Sequence, residues 1–291
     1  MNTENRKLRI IILTHGGCVP LLKNLAENDL ITVAGVYVET EISRRKLTMK
    51  ERLQRSIRYD GYAATIAKPL KQLLTRAPEA EAENHHETRE DLEETAERLG
   101  IPLHYLPNYH APDAIEFMRG ADADLGIVWG TNILKESVFK IPRMGSINIH
   151  QGLAPYYRGG PPVFWELFNE EPEVGITVHF VEAKVDTGAI ITQETVPLKY
   201  DYEYGLDFEA FIADFRAGIA GNCVKLMTDA VRMIADGSVR TREQDVSLGH
   251  RYRLPIKPEK DELKRRLIAR ATSAGSAPAS LKHKKRRMAS S

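Results

Sequence analysis

Leu8-Arg9-Ile10-Ile11-Ile12-Leu13, followed by the polar turn Thr14-His15-Gly16-Gly17, decides the fold class. A continuous run of β-branched and apolar residues reads as a strand buried on both faces, the pattern of a parallel sheet. Residues 18–28 then show helical spacing, and residues 31–38 (ITVAGVYV) form a second buried run. Strand, glycine turn, helix and strand within about 30 residues make a βαβ unit. Outward from this unit, residues 125–128, 146–149, 176–181 and 190–196 are further strand candidates, the last closed by Pro197, with helical patterns between several of them. The expectation is an α/β fold of Rossmann-like type: a mostly parallel, twisted, doubly wound sheet with helices on both faces.

Two stretches interrupt this alternation. Residues 41–98 are too long and too charged for a connection between a strand and a helix. Within them Leu53, Ile57, Ile66, Leu70 and Leu73 recur at roughly helical spacing, with Lys50, Arg52, Arg55, Arg58, Lys68 and Lys71 between. Such a helix suits an anionic membrane surface or a partner, but a solvated insertion packed on its own domain is the favoured reading. Residues 79–98 are acidic, and a second helix is expected over 87–99. The other interruption is the C-terminal end, where residues 271–280 (ATSAGSAPAS) precede Lys282-His283-Lys284-Lys285-Arg286-Arg287. From Arg251 onward there are thirteen Lys/Arg against three Asp/Glu, so residues 1–250 carry about −9 of the net +1. A tail so poor in apolar residues is expected to stay disordered. It either attracts anionic partners or serves only solubility. The organisation expected is therefore a catalytic domain over 1–200 with a charged helical insertion at 41–98, a helical extension over 201–255, and a basic disordered tail over 256–291.

The two cysteines, Cys18 and Cys223, imply neither a disulfide framework nor a zinc site. Cys18 reads as an ordinary small residue in preference to a reactive thiol. The polar start at residues 1–9 lacks the apolar region of a signal peptide, and no apolar run approaches a membrane span. A cytoplasmic location is expected.

The chemistry concentrates between residues 146 and 188. Asn148 and His150 stand two apart on a candidate strand, so their side chains share one face. They lie at the strand's C-terminal end before a turn rich in Gly and Pro, where ligands bind in open parallel sheets. An amide beside an imidazole polarises a carbonyl, stabilises an oxyanion and moves a proton. Asp186-Thr187-Gly188 forms a tight loop from which a carboxylate could orient the imidazole. Spacing alone leaves open whether Asp186 and His150 meet. Taken singly, each is as well explained by a structural histidine and a common turn.

In combination, Asn148, His150, Leu153, Pro155, Tyr157-Arg158-Gly159, Gly175-Ile176-Thr177, His179 and Asp186-Thr187-Gly188 resemble the catalytic domain of the formyltransferase family. That family includes methionyl-tRNA formyltransferase, glycinamide ribonucleotide formyltransferase, formyltetrahydrofolate deformylase and the nucleotide-sugar N-formyltransferases. The resemblance is strongest over 120–200. It implies that Asn148, His150 and Asp186 are catalytic: an amine nitrogen attacks the formyl carbon carried on N10 of 10-formyltetrahydrofolate, Asn148 and protonated His150 stabilise the oxyanion, and Asp186 supports His150. It implies a folate pocket formed by Trp129, Gly130, Thr131, Asn132, Ile133 and Leu134, largely through backbone, closed by Val181, Glu182, Ala183, Lys184 and Val185. Arg158, Gly159 and Gly160 fall on the acceptor side, with a structural ion pair an equal reading for Arg158. Phe164 and Trp165 could stack on an acceptor, although core packing is the more ordinary role of aromatics. No metal is expected.

Departures from the family pattern bear on the acceptor. His150-Gln151-Gly152-Leu153-Ala154-Pro155 replaces the frequent His-Pro-Ser-Leu-Leu-Pro. The turn His15-Gly16-Gly17-Cys18 lacks the phosphate loop expected for glycinamide ribonucleotide. The residues after Lys199 leave no room for the β-barrel of methionyl-tRNA formyltransferase, and residues 207–234 read as helical. These points favour a small-molecule amine, an amino sugar on a nucleotide first, over nucleic acid. The alternatives are hydrolysis with water as acceptor, a methionyl-tRNA formyltransferase-like enzyme, and a non-catalytic folate- or nucleotide-binding homologue. A homodimer is left open. A nicotinamide-dependent dehydrogenase is disfavoured because no G-x-G-x-x-G follows the first strand.

Overall fold

The structure, a computed structural model, describes residues 6–41, 48–62 and 87–273. In chain order the elements are β1 (Leu8–Thr14), α1 (Val19–Ala26), β2 (Ile31–Glu39), α2 (Met49–Asp60), α3 (Arg89–Leu99), β3 (Leu103–Leu106), α4 (Pro112–Arg119), β4 (Leu125–Trp129), the single turn α5 (Glu136–Phe139) and β5 (Ser146–His150). There follow β6 (Tyr157–Gly159), α6 (Phe164–Phe168), β7 (Glu173–Phe180), β8 (Ile190–Pro197), α7 (Phe208–Gly218), α8 (Ala220–Ala235), β9 (His250–Tyr252) and α9 (Lys257–Ser273).

The main sheet runs β3-β2-β1-β4-β5-β7-β8. It is parallel from β3 through β5, and β7 and β8 add antiparallel. The chain winds outward in both directions from β1, so a crevice opens beyond the C-terminal ends of the central strands. The run at 8–13 sorts its side chains by strand alternation. Ile10 and Ile12 join the core under α1, α3 and α8, while Ile11 and Leu13 join the core under α4 and α5. The uninterrupted apolar reading thus corresponds to helices on both faces.

Two expectations about the C-terminal part are corrected. Residues 257–273, assigned from their charge to a disordered tail, form α9. Its Leu263, Leu267 and Ala271 recur every four residues and are buried, the two leucines against α6, α7 and β7. Abundant Lys and Arg obscured that narrow stripe, which is sufficient to dock a helix. Residues 201–255 are also not purely helical: after α7 and α8 the chain crosses back to the catalytic region, and β9 pairs in parallel with β6.

Within 41–98, α2 begins at a capping box between Thr48 and Glu51 and buries none of its residues; Met49 and Leu53 are exposed. Its far end, Gly61, abuts the Lys257 side chain of α9. The helix expected over 87–99 is α3, capped by Thr88 and Asp91 and anchored by Leu92, Thr95 and Ala96. The expectations for Ile66, Leu70, Leu73, Lys68 and Lys71, and for the basic run at 282–287, lie outside the described residues. Among the described residues no helix is long and apolar enough to cross a membrane.

Candidate active site

Asn148 and His150 occupy the end of β5, and the antiparallel register with β7 sets Asn148 opposite His179 and His150 opposite Thr177. Opposed residues project to the same face, so these four polar side chains form one patch at the edge of the crevice. The Asp186 loop joins them. Asp186 Oδ2 lies 3.5 Å from His150 Nδ1, and Oδ1 lies 3.4 Å from His179 Nε2. Both are close charge contacts longer than an ordinary hydrogen bond. The carboxylate also accepts the Gly159 N–H at 2.8 Å.

The strand opposite and the turns on either side explain why these residues meet. A side chain at Gly175 would fall 2.4 Å from the Leu153 backbone, so only glycine lets residues 152–154 cross β7 there. Thr177 Oγ1 then donates to Gly152 O at 2.7 Å and accepts from Ala154 N, while Gln193 donates to both Thr177 Oγ1 and Ala154 O. Gly152 is bare because a Cβ would lie 2.3 Å from His150 Nε2. Asp186 itself has φ 54°, a left-handed geometry that Asp tolerates better than most residues. Thr187 Oγ1 donates to Lys184 O, and Gly188 lies where a Cβ would sit 1.9 Å from Phe180 O.

Burial disfavours the Asp186 carboxylate, but the facing His150, the contact with His179 and the Gly159 N–H outweigh it and hold the group well below the usual range. His150 donates Nε2–H to Tyr157 O at 2.9 Å. His179 donates Nδ1–H to Phe180 O at 2.7 Å and leaves Nε2 between Asp186 and the Asn148 amide, 3.5 Å away. His179 is thus a member of the centre that the sequence reading left without a role. The usable signal was alternation, since Thr177 and His179 alternate with the apolar Ile176, Val178 and Phe180 along the strand. Among the described residues no group of three or more His, Cys, Asp and Glu is disposed to hold a metal.

The expected folate wall divides into side chains that pack and backbone that does not. Trp129 is buried and its Nε1–H goes to Gly17 O, and Leu134 belongs to the core under α4 and α5. Between them Gly130 has φ 62° and Ile133 is 70% exposed. No backbone N–H from Thr131 to Leu134 bonds to another described residue, and the one bonded carbonyl is Asn132 O, reached by Thr131 Oγ1. Opposite, Val181 is fixed through its N–H to Ser146 O while Glu182, Ala183 and Lys184 are exposed and Val185 is half-buried. A strip of free amides suits a pterin, whose edge alternates donors and acceptors.

On the other side of His150 a narrow cleft is lined by His150, Gln151, Tyr157, Gly159, Pro161, Pro162, Trp165, Glu166 and Tyr252. Tyr252, from β9, stacks on both Tyr157 and Trp165 with centroids 5.1 Å apart in each case. Gly160 permits this, since a Cβ there would lie 2.7 Å from Tyr252 Cβ. Two sequence assignments change here. Arg158 is buried and gives its guanidinium N–H groups to Pro155 O and Val246 O, so it ties the wall to residue 246 instead of facing a ligand or forming an ion pair. Phe164 is buried in the core with Phe168 and Phe208, and only its neighbour Trp165 reaches the cleft. Cys18 is buried and its thiol is pushed up to about 12 by desolvation and by Glu87, which makes it inert.

Comparison with known proteins agrees with this geometry. Residues 64–205 match the family model described as formyl transferase. The methionyl-tRNA formyltransferase of Azobacteroides pseudotrichonymphae is 31% identical over 159 residues, 55% of this chain and 47% of that protein. The chain thus spans about half the length of the curated relatives it matches. Among solved structures, phosphoribosylglycinamide formyltransferase from Anaplasma phagocytophilum superposes with a TM-score of 0.52 at 18% identity, covering 82% of this chain and 94% of that one. A 4-N formyltransferase from Francisella tularensis superposes with a TM-score of 0.50 at 16% identity, covering 84% and 76%. The parallel sheet, the crevice beyond β1 and β4, and the matched segment carrying Asn148, His150 and Asp186 converge: residues 64–205 of this chain are similar to the formyl transferase family.

Proposed function

We propose that this protein transfers the formyl group of 10-formyltetrahydrofolate to the amine of a small molecule, with an amino sugar on a nucleotide as the preferred acceptor class. The observation that carries this reading is the approach of Asp186 to both His150 and His179 beside Asn148. The donor supplies an activated formyl carbon on N10. The chain's residues do the rest. The free amides of 131–134 hold the donor's heterocycle, and the Asn148 amide and a His150 N–H take the negative charge that grows on the formyl oxygen. The ionised Asp186 faces the His150 imidazole and keeps it oriented. The Nε2–H given to Tyr157 O is the one that turns to the reacting centre, as catalytic hydrogen bonds do when they tighten on the substrate. The amine nitrogen bonds to the formyl carbon, the carbon–N10 bond breaks, the amine loses one proton and N10 gains one.

The departures from the family pattern at His15-Gly16-Gly17-Cys18 and at Gln151, Gly152 and Ala154 support an acceptor other than glycinamide ribonucleotide. The names of the curated relatives favour a second acceptor, the amine of methionyl-tRNA, and water is the third. One assay separates them: purified protein with 10-formyltetrahydrofolate, scored for tetrahydrofolate release with amino-sugar nucleotides, methionyl-tRNA or buffer alone. Transfer to an amino-sugar nucleotide above the buffer rate supports the proposal, and transfer confined to tRNA or release independent of any amine overturns it. In that assay His150→Ala or Asp186→Asn should lower turnover about 10²–10⁴-fold while binding of 5-formyltetrahydrofolate is kept. Turnover like the parent's in both variants would defeat the mechanism.

A further inference from the structure

After α8 the chain returns to the active site along an extended strap, residues 242–252, that has no part in the chemistry above. Arg242 forms an antiparallel bridge with Ile190, each backbone N–H reaching the other's carbonyl at 2.8 and 2.9 Å. Two residues further, where the next bonded pair of such a ladder would fall, Gln244 comes opposite Gly188. The main-chain ladder stops there because the facing chain bends into the Asp186 turn, and the Gln244 side chain takes over. Its Nε2–H donates to Gly188 O at 2.6 Å. This contact fixes the orientation of the amide, since the flipped group would set two carbonyl oxygens against each other. Gln244 Oε1, by contrast, is buried with no hydrogen-bond partner among the described residues. An acceptor left in that state costs stability, so what the side chain contributes is its donor.

The strap holds the other side of the centre as well. Val246 O accepts the Arg158 Nη2–H at 3.1 Å, and His250 N–H reaches Tyr156 O at 3.0 Å. Residues 155–159 in turn hold the His150 ring through Tyr157 O and the Asp186 carboxylate through Gly159 N–H. Both partners of the Asp186–His150 approach are therefore referred to one strap, Asp186 through Gly188 and His150 through residues 155–159. That approach and the one to His179, at 3.5 and 3.4 Å, are too long for direct hydrogen bonds to set them. We propose that Gln244 is a positioning residue: by pinning Gly188 O to the strap, it sets the Asp186 carboxylate at its distance from His150 and His179. Its bearing on turnover rests on the formyl-transfer reading of this centre, and its bearing on the placement of Asp186 does not.

The test uses the full chain and two variants. Gln244→Met keeps the length and removes both the donor and the unpaired acceptor; Gln244→Asn keeps the amide but is one carbon too short to reach Gly188 O. The Gly159 amide proton, donated to a carboxylate at 2.8 Å, gives a downfield NMR signal at neutral pH that reports this contact without any substrate. In both variants it should move upfield, while the melting temperature stays within about 4 °C of the parent, as for the loss of one hydrogen bond. Tetrahydrofolate release in the assay above should fall about ten- to a hundredfold, with the KM for 10-formyltetrahydrofolate changed by less than about twofold. A Gly159 signal at its parental position in both variants, or a far larger fall in melting temperature, overturns the inference, and so does parental turnover with the signal displaced. If the parent transfers no formyl group and the Gly159 signal still moves in the variants, the transferase reading falls and the placement of Asp186 by Gln244 stands. Transfer by the parent with an unmoved signal removes the role of Gln244 alone.

Discussion

Residues 131–134, on one side of His150, give no backbone N–H to another described residue and expose Ile133, whereas residues 157–165, on the other side, are held by several side-chain bonds. Arg158 holds two carbonyls, Gly159 N–H is on Asp186, and Trp165 Nε1–H reaches Arg253 O. Tyr157 and Tyr252 stack and share the Asn169 amide. The first wall is a short local segment whose proposed recognition lies in peptide groups, which any sequence supplies. The second is assembled from four separated stretches and depends on particular side chains. The contrast predicts different responses to substitution: chemistry-dependent and strong on the aromatic wall, weak on the peptide wall.

The sharpest way to break both walls together is Gly188→Ala. The new methyl would meet Phe180 O at 1.9 Å, forcing apart the 181–185 loop and the Asp186 turn that joins it. An overpacked site of this kind loses about 1–3 kcal/mol, and both folate-analogue binding and turnover should fall. A variant with normal thermal stability and normal binding would show that the two walls are not coupled through this turn. Tyr252→Ala should act on one wall only. Loss of two ring contacts is worth about 1–3 kcal/mol, measurable in urea denaturation, while 5-formyltetrahydrofolate binds as before. Equal loss of folate affinity would contradict the separation.

The same contrast explains what could be read before any fold was known. The parallel sheet was legible because β1, β2, β4 and β5 are each a single run whose apolar residues need only be adjacent in sequence. Asn148 and His150 were legible because strand alternation is local. The meeting of Asp186 with His150 and His179 was not, since it depends on the β5–β7 register and on the close passages that Gly175 and Gly188 allow. The aromatic wall was still less accessible: Tyr252 lies 87 positions from Trp165, and nothing short-range marks β9 as the partner of β6. Helix α9 was misjudged because its buried stripe of Leu263, Leu267 and Ala271 is narrow and its other faces are crowded with charge.

At the shared centre, the Asp186 carboxylate is ionised more readily in the folded chain than in the unfolded one. Its contribution to stability is therefore complete above the ordinary Asp range near 3.9 and is lost as pH falls through the lower, folded value. Asp186→Asn should be less stable than the parent by about 1.5 kcal/mol at pH 7, and in urea titrations the gap should hold down to about pH 5 and begin to narrow only as pH falls below about 4 toward 3. A gap that widens on acidification would mean that the carboxylate is not held by the two imidazoles.

The smallest effects are expected on the peptide wall, and there smallness is itself the prediction. Asn132→Ala and Ile133→Ala remove side chains that make no hydrogen bond to another described residue and, for Ile133, little buried contact. Stability should change by less than about 0.5 kcal/mol in either. If the donor is held by the amides of 131–134, its affinity should also fall by no more than about twofold, because the groups that bind it are untouched. Replacing Asn132 with Pro is the complementary probe: it deletes one N–H from the strip and should weaken 5-formyltetrahydrofolate well beyond the alanine variants. Loss on the alanine substitutions equal to that on proline would place recognition in side chains, and the distinction between the two walls would then be one of position alone.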